Sequence, residues 1–222
     1  MVIVFAEQSP SAGRDTACAS AHAPDGWIAK VPPKAVVIGV STGGPVALST
    51  ILPCLPATFP LPVLVVQHMP PVFTRSLADR LRSACSLYVS EARHGDPVNR
   101  GSILIAPGGF HMRLSSVRGS AFVCLDQTPP QNSCRPSIDA LFDAAGKVFG
   151  GAVLAVMLTG MGHDGLSGTQ ALKARGASVL AQDEASSVVW GMAGAVVKAG
   201  LADSVVPLNR IAAEILRVAK GG

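Results

Sequence analysis

The strongest constraint on this chain is a set of uninterrupted apolar runs, residues 36–40, 62–67 and 152–158, each stopping abruptly on glycine, proline or a polar side chain. Runs this short read as strands, and the lack of polar alternation means that both faces need cover. A parallel sheet between two helical layers supplies it. The intervening segments agree: residues 46–52, 166–175 and 192–198 are helix-compatible, while 72–84, with apolar Phe73, Leu77 and Leu81, and 208–220 have amphipathic spacing. Ser137 is a candidate N-cap for another helix, with Ile138, Leu141, Phe142, Ala145 and Val148 as its apolar stripe. Further strands are expected at 87–89, 102–106 and 177–181. Residues 110–114 and 120–125, joined by Ser-Ser-Val-Arg-Gly, predict a hairpin that forms the antiparallel part of a mixed sheet. The pattern is α/β: a doubly wound, mainly parallel sheet flanked by helices, with an antiparallel β-hairpin.

Composition matters because it offers a rival reading. Hydrophobic residues make up 49% of the chain, charged residues only 14%, and mean hydropathy is +0.41. From 35 to 74 the only ionisable side chain is His68 apart from a cysteine, yet Pro45, Pro53, Pro56, Pro60 and Pro62 interrupt that segment. No apolar helix of about 20 residues can form there, so no membrane insertion is expected. The net charge of +4 comes from scattered residues. Arg75, Arg80 and Arg82 form the one dense cluster, and without interleaved aromatics they read as a solvated helix face rather than a nucleic-acid surface. Five cysteines, odd in number and lacking C-x-x-C spacing, suit free thiols in a reducing cytoplasm. Residues 1–34, rich in Ala, Ser, Gly and Pro, read as a flexible extension or linker in which 2–5 can add a short strand. Residues 35–222 form the domain.

The chemistry sits where the strands stop. Gly39-Val40-Ser41-Thr42-Gly43 places a serine in a tight turn between a strand and a helix start, where glycines permit strain and unpaired N–H groups lie close. Such turns also cradle phosphates or simply join elements. His68 follows the second run and Asp164 the third; alone, one is a polar strand cap and the other a helix cap. Ligands of doubly wound sheets bind outside the carboxyl ends of the strands, so the three positions converge. A serine hydroxyl needs an imidazole to take its proton, and the imidazole needs a carboxylate to fix its tautomer. Ser41 is therefore the expected nucleophile, His68 the base and Asp164 the orienting acid, with peptide N–H groups at Thr42 and Met161 as the oxyanion hole. His163 competes as base, His111 and Asp126 are expected at the surface near the hairpin, and His22 and His94 fall in polar loops. No His, Cys and carboxylate set has metal-ligand spacing along the chain, so neither a metal nor a cofactor is expected. The glycines do not fit the dinucleotide fingerprint, and the order Ser, His, Asp differs from that of the α/β-hydrolases.

Six motifs in order then resemble one family: IGVSTGG (38–44), QHMPPVFT (67–74), IAPGGFHM (105–112), RPSID (135–139), LTGMGHDG (158–165) and QDEASSVVWGM (182–192). They are similar to the catalytic domain of the chemotaxis receptor methylesterases, the CheB type of protein-glutamate methylesterase, over about residues 35–218. The family's serine, histidine and aspartate fall on Ser41, His68 and Asp164, and its oxyanion contributions near Thr42 and Met161. The resemblance implies hydrolysis of glutamate γ-methyl esters on the cytoplasmic helices of chemoreceptors, with release of methanol, and in many members deamidation of receptor glutamines. Alternatives are a catalytically silent receptor-binding module and a general small-ester hydrolase. Two residues depart from the pattern: His163 stands where asparagine is expected, and Cys134 where histidine is expected. The first 34 residues are too few for the receiver domain that the family usually carries, which implies a stand-alone catalytic form or a fragment.

Overall fold

In the computed structural model, which describes residues 27–221, the chain alternates strand and helix as its apolar pattern dictates. The elements run β1 (Ala35–Val40), α1 (Gly44–Ile51), β2 (Val63–Gln67), α2 (Phe73–Ala84), β3 (Tyr88–Glu91), β4 (Ser102–Ile105), β5 (His111–Val117) and β6 (Ser120–Asp126). They continue with α3 (Ile138–Phe149), β7 (Val153–Met157), α4 (Leu166–Ala174), β8 (Ser178–Gln182), α5 (Met192–Lys198), β9 (Ser204–Val206) and α6 (Leu208–Ala219). Seven strands form one sheet in the order β3-β4-β2-β1-β7-β8-β9. Every neighbouring pair in it is parallel.

Every residue of β1, β2, β7 and β8 is buried. Along β1 the side chains divide with a period of two: Val36, Ile38 and Val40 join α1, α2 and α6 in one core, and Val37 joins α3, α4 and α5 in the other. The chain builds outward from β1 through β2 and then restarts beside β1 with β7. That reversal is the switch point at which a parallel sheet opens a crevice.

Several expectations need correction. The hairpin is a separate two-stranded sheet, not part of a mixed one, so the main sheet is wholly parallel. Its strands run on to Val117 and Ser120, leaving Arg118-Gly119 as the turn, with φ of 51° and 82°. Those positive angles match the twist of a tight hairpin, which outweighs the polarity of Ser115 and Ser116. Met112 and Val123 dock the hairpin on α3. Phe73 does not face the core; Thr74 does, because its hydroxyl donates to Glu91 Oε1 at 2.6 Å and accepts from Gly108 N at 3.0 Å. The short edge strand β9 lacks an apolar run and gave no sequence signal. The strand suggested at 2–5 lies outside the described residues, as does most of the extension.

Candidate active site

At the end of β1 the chain turns so tightly that glycine is required at successive positions. Gly43 has φ of 83°, in the left-handed region that favours glycine, and a Cβ on Gly44 would stand 1.9 Å from Gln67 Oε1. The turn is tied down on both sides. Ser41 N donates to the carbonyl of Thr159 at 3.0 Å, and the Thr159 hydroxyl lies 2.9 Å from the Thr42 carbonyl that accepts from it. From β2, the buried Gln67 donates through Nε2 to the carbonyls of both Ser41 and His68, each at 3.0 Å. Gln67 thereby couples the backbone of the serine to that of the histidine. The Ser41 hydroxyl itself has no hydrogen-bond partner among the described residues. Its Cβ packs where Gly160 approaches; a Cβ on Gly160 would lie 2.8 Å away.

The acidic end is built oppositely. Asp164 Oδ2 accepts from His68 Nε2 at 2.8 Å and from Ile138 N at 2.7 Å, and Oδ1 accepts from Ser137 Oγ at 2.8 Å and Asn132 Nδ2 at 3.0 Å. The carboxylate thus lies against the first turn of α3, where unpaired N–H groups and the helix dipole favour negative charge. Ser137 occupies the expected N-cap position, but its side chain makes no cap bond and serves Asp164 instead. Burial alone would raise the Asp164 pKa, but hydrogen bonds from His68, Asn132, Ile138 and Ser137 outweigh it and bring it to about 2. Asp139 moves the other way. Burial and the nearby Asp164 charge raise its pKa, opposed by donors from Gly168 N and Asn132.

An ionised Asp164 accepts only, so the proton of neutral His68 resides on Nε2 and the lone pair on Nδ1. Nδ1 lies 3.6 Å from Cys134 Sγ, and His68 opens into a cavity of about 280 Å³ lined also by Met69, Pro70, Ser133, Arg135 and Pro136. The amide N–H groups of Thr42 and Met161 have no partner among the described residues, and the Met161 side chain is exposed. A preorganised carboxylate and imidazole, a free hydroxyl and unpaired amides are the parts of an acyl-transfer site.

The structure brings His68 and Asp164 into direct contact and sets Ser41 just past the end of the strand between theirs, with its carbonyl joined to that of His68 through Gln67 and its N–H bound to the Thr159 carbonyl. His163 is exposed and so is His94, whose Nδ1 accepts from Leu125 N at 3.3 Å. His22 lies outside the described residues. His111 overturns its surface expectation: it is fully buried, with Nδ1 accepting from Ser137 N at 3.2 Å, and so braces the start of α3. Asp126 is half-buried and pairs with Arg113 at 2.6 Å. Gln67, Asn132, Ser137, Asp139 and Cys134 were not singled out as site residues. The QHMPPVFT and RPSID motifs were the available signal for four of these, or for positions beside them. A larger cavity, about 400 Å³, lies against edge strand β3 among Arg75, Asp79, Arg82, Glu91, Arg93 and Asp96, and its lining includes none of Ser41, His68 and Asp164.

Residues 36–215 match the CheB methylesterase family. The chain is 52% identical to the protein-glutamate methylesterase/protein-glutamine glutaminase of Trichodesmium erythraeum, over 82% of this chain and 52% of that protein. It is 47% identical to the protein of the same name from Maricaulis maris, over 86% of this chain and 47% of that one. The chain therefore spans about half the length of these relatives. The crystal structure of the Thermotoga maritima CheB methylesterase catalytic domain superposes with a TM-score of 0.82 at 45% identity, over 85% of this chain and all of that one.

Proposed function

Because the chain belongs to the CheB methylesterase family, we propose that residues 35–222 are a methylesterase domain that hydrolyses glutamate γ-methyl esters on the cytoplasmic helices of chemoreceptors. The observation that carries the reading is the 2.8 Å bond between His68 Nε2 and Asp164 Oδ2, made beyond the carboxyl ends of the two strands that flank the one Ser41 follows. Ser41 Oγ attacks the ester carbonyl while Nδ1 of His68 takes its proton. Asp164 holds the ring and stabilises the imidazolium. The N–H groups of Thr42 and Met161 receive the oxyanion. Methanol leaves with the proton from His68, and a water deprotonated by the same ring then hydrolyses the Ser41 acyl ester. A glutamine side chain follows the same path with ammonia as leaving group. The site of action is cytoplasmic; among the described residues, no helix is long and apolar enough to cross a membrane.

The test is methanol release from methyl-labelled receptor. Wild type is expected to release label, and Ser41→Ala to fall to background; equal release by the two would sink the assignment. Rapid turnover of soluble esters with indifference to receptor would point to a general esterase instead.

A further inference from the structure

Cys134 is far from His68 and Asp164 in sequence, and the fold brings them together. One donor atom from each of His68, Cys134 and Asp164 lies within 4.8 Å of the other two. Two ligands on a tetrahedral zinc, with Zn–S of about 2.3 Å and Zn–N of about 2.0–2.1 Å, stand roughly 3.6 Å apart. His68 Nδ1 and Cys134 Sγ are separated by 3.6 Å. The remaining ring nitrogen, Nε2, donates to Asp164, and a metal-bound histidine ordinarily gives its other N–H to a carboxylate. Cys134 forms no disulfide, and the cavity of about 280 Å³ beside it leaves an approach and room for water in the other ligand positions. Arg135 also lines that cavity, but its Nη1 is bound to the carbonyls of Gln127 and Thr128.

We propose that Cys134 and His68 form a site for a thiophilic divalent cation such as Zn²⁺, braced by Asp164, and that its occupation switches hydrolysis off. On binding, the Cys134 thiol loses its proton to water and its sulfur bonds the ion, while the Nδ1 lone pair of His68 forms the second protein bond. That lone pair can no longer accept the Ser41 proton. The ion is an inhibitor here, not a participant in ester cleavage. Inhibition rests on His68 being the base; binding does not.

The two parts are separated by measuring binding without activity. Titration of the full chain with Co²⁺ should develop a near-ultraviolet thiolate-to-cobalt band that saturates at one equivalent and is displaced by Zn²⁺. Cys134→Ser should lose the band and weaken Zn²⁺ binding by about tenfold or more, as should His68→Gln in affinity. Cys124→Ser, altered on β6, should keep both. Zn²⁺ should slow wild-type ester hydrolysis by about tenfold or more at a concentration that leaves Cys134→Ser near its metal-free rate, with recovery on chelation. Absence of the band, or equal Zn²⁺ affinity in wild type and Cys134→Ser, overturns the site. Binding at Cys134 with unchanged hydrolysis overturns the switch, and no hydrolysis even without metal refutes the proposed activity while the binding titration still decides the site.

Discussion

The two ends of the candidate active site are held by opposite means. Asp164 is fixed through its side chain, which collects donors from Ser137, Ile138, Asn132 and His68, whereas Ser41 is fixed only through its backbone and keeps a free hydroxyl. The difference follows from charge. A buried carboxylate without partners is expensive, so its shell must be complete in the resting fold. A neutral hydroxyl in a half-exposed turn carries little such penalty and can stay unpaired until substrate arrives. The acidic end is thus built for stability and orientation together, and the nucleophilic end for position alone.

Replacing Asp164 tests the first half of that contrast and should have the largest effect. Asp164→Asn keeps the shape but removes the charge that stabilises the imidazolium, and hydrolysis should fall by about 10³- to 10⁴-fold. Stability should respond in a defined pH window. The carboxyl pKa is lowered from 3.8 to about 2 in the fold, so its contribution is complete above the unfolded value and is lost as pH falls through about 2. The shift is worth about 2 kcal/mol. Denaturant midpoints measured from about pH 6 down to pH 2 should therefore fall more steeply for wild type than for Asp164→Asn. Parallel curves would mean that the donors around Asp164 do not favour its charge.

Gln67 tests the second half, because it positions the serine without touching its hydroxyl. Gln67→Met conserves size but leaves the carbonyls of Ser41 and His68 without their shared donor, which should cost about 1–3 kcal/mol in stability. A small displacement of nucleophile from base should lower kcat by about 10- to 100-fold with little change in KM. An unchanged kcat in a destabilised variant would make Gln67 a packing residue and nothing more.

Sequence reasoning reached the parallel sheet, and picked out Ser41, His68 and Asp164 as candidates, for one reason: buried strands are continuous apolar runs, and their ends are where polar residues stand out. It failed where a residue's role is set by partners distant along the chain. Ser137 looked like an N-cap because local spacing cannot show Asp164 arriving at the same helix start. His111 looked superficial because a hairpin residue is ordinarily exposed, and only packing against α3 buries it. Cys134 stood out only as a departure from the family pattern, and its place beside His68 depends on the turn at 131–134, with Asn132 and Ser133 at positive φ.

That same turn offers the finest test of the acidic end. Asn132, at φ of 50°, donates through one nitrogen to Asp139 Oδ2 at 2.8 Å and to Asp164 Oδ1 at 3.0 Å, so it screens two carboxylates from each other. Asn132→Gly removes both bonds while preserving the left-handed backbone. Its stability loss should be about 1 kcal/mol, since the site is exposed and Asp164 retains its other donors. Asn132→Ala should lose about 1 kcal/mol more, the added cost of a Cβ in that conformation. Loss of the donor raises the pKa of both carboxyls, so Asp164 has less charge-dependent stability to lose and Asp139 is relieved more by protonation; stability should therefore fall less steeply than in wild type between about pH 6 and pH 2, most clearly in the glycine variant, where backbone strain is absent. Hydrolysis should fall only severalfold, because His68 and Ile138 still hold Oδ2. A loss as deep as that of Asp164→Asn would show that the carboxylate depends on one exposed amide, and that its shell lacks the redundancy distinguishing it from the serine end.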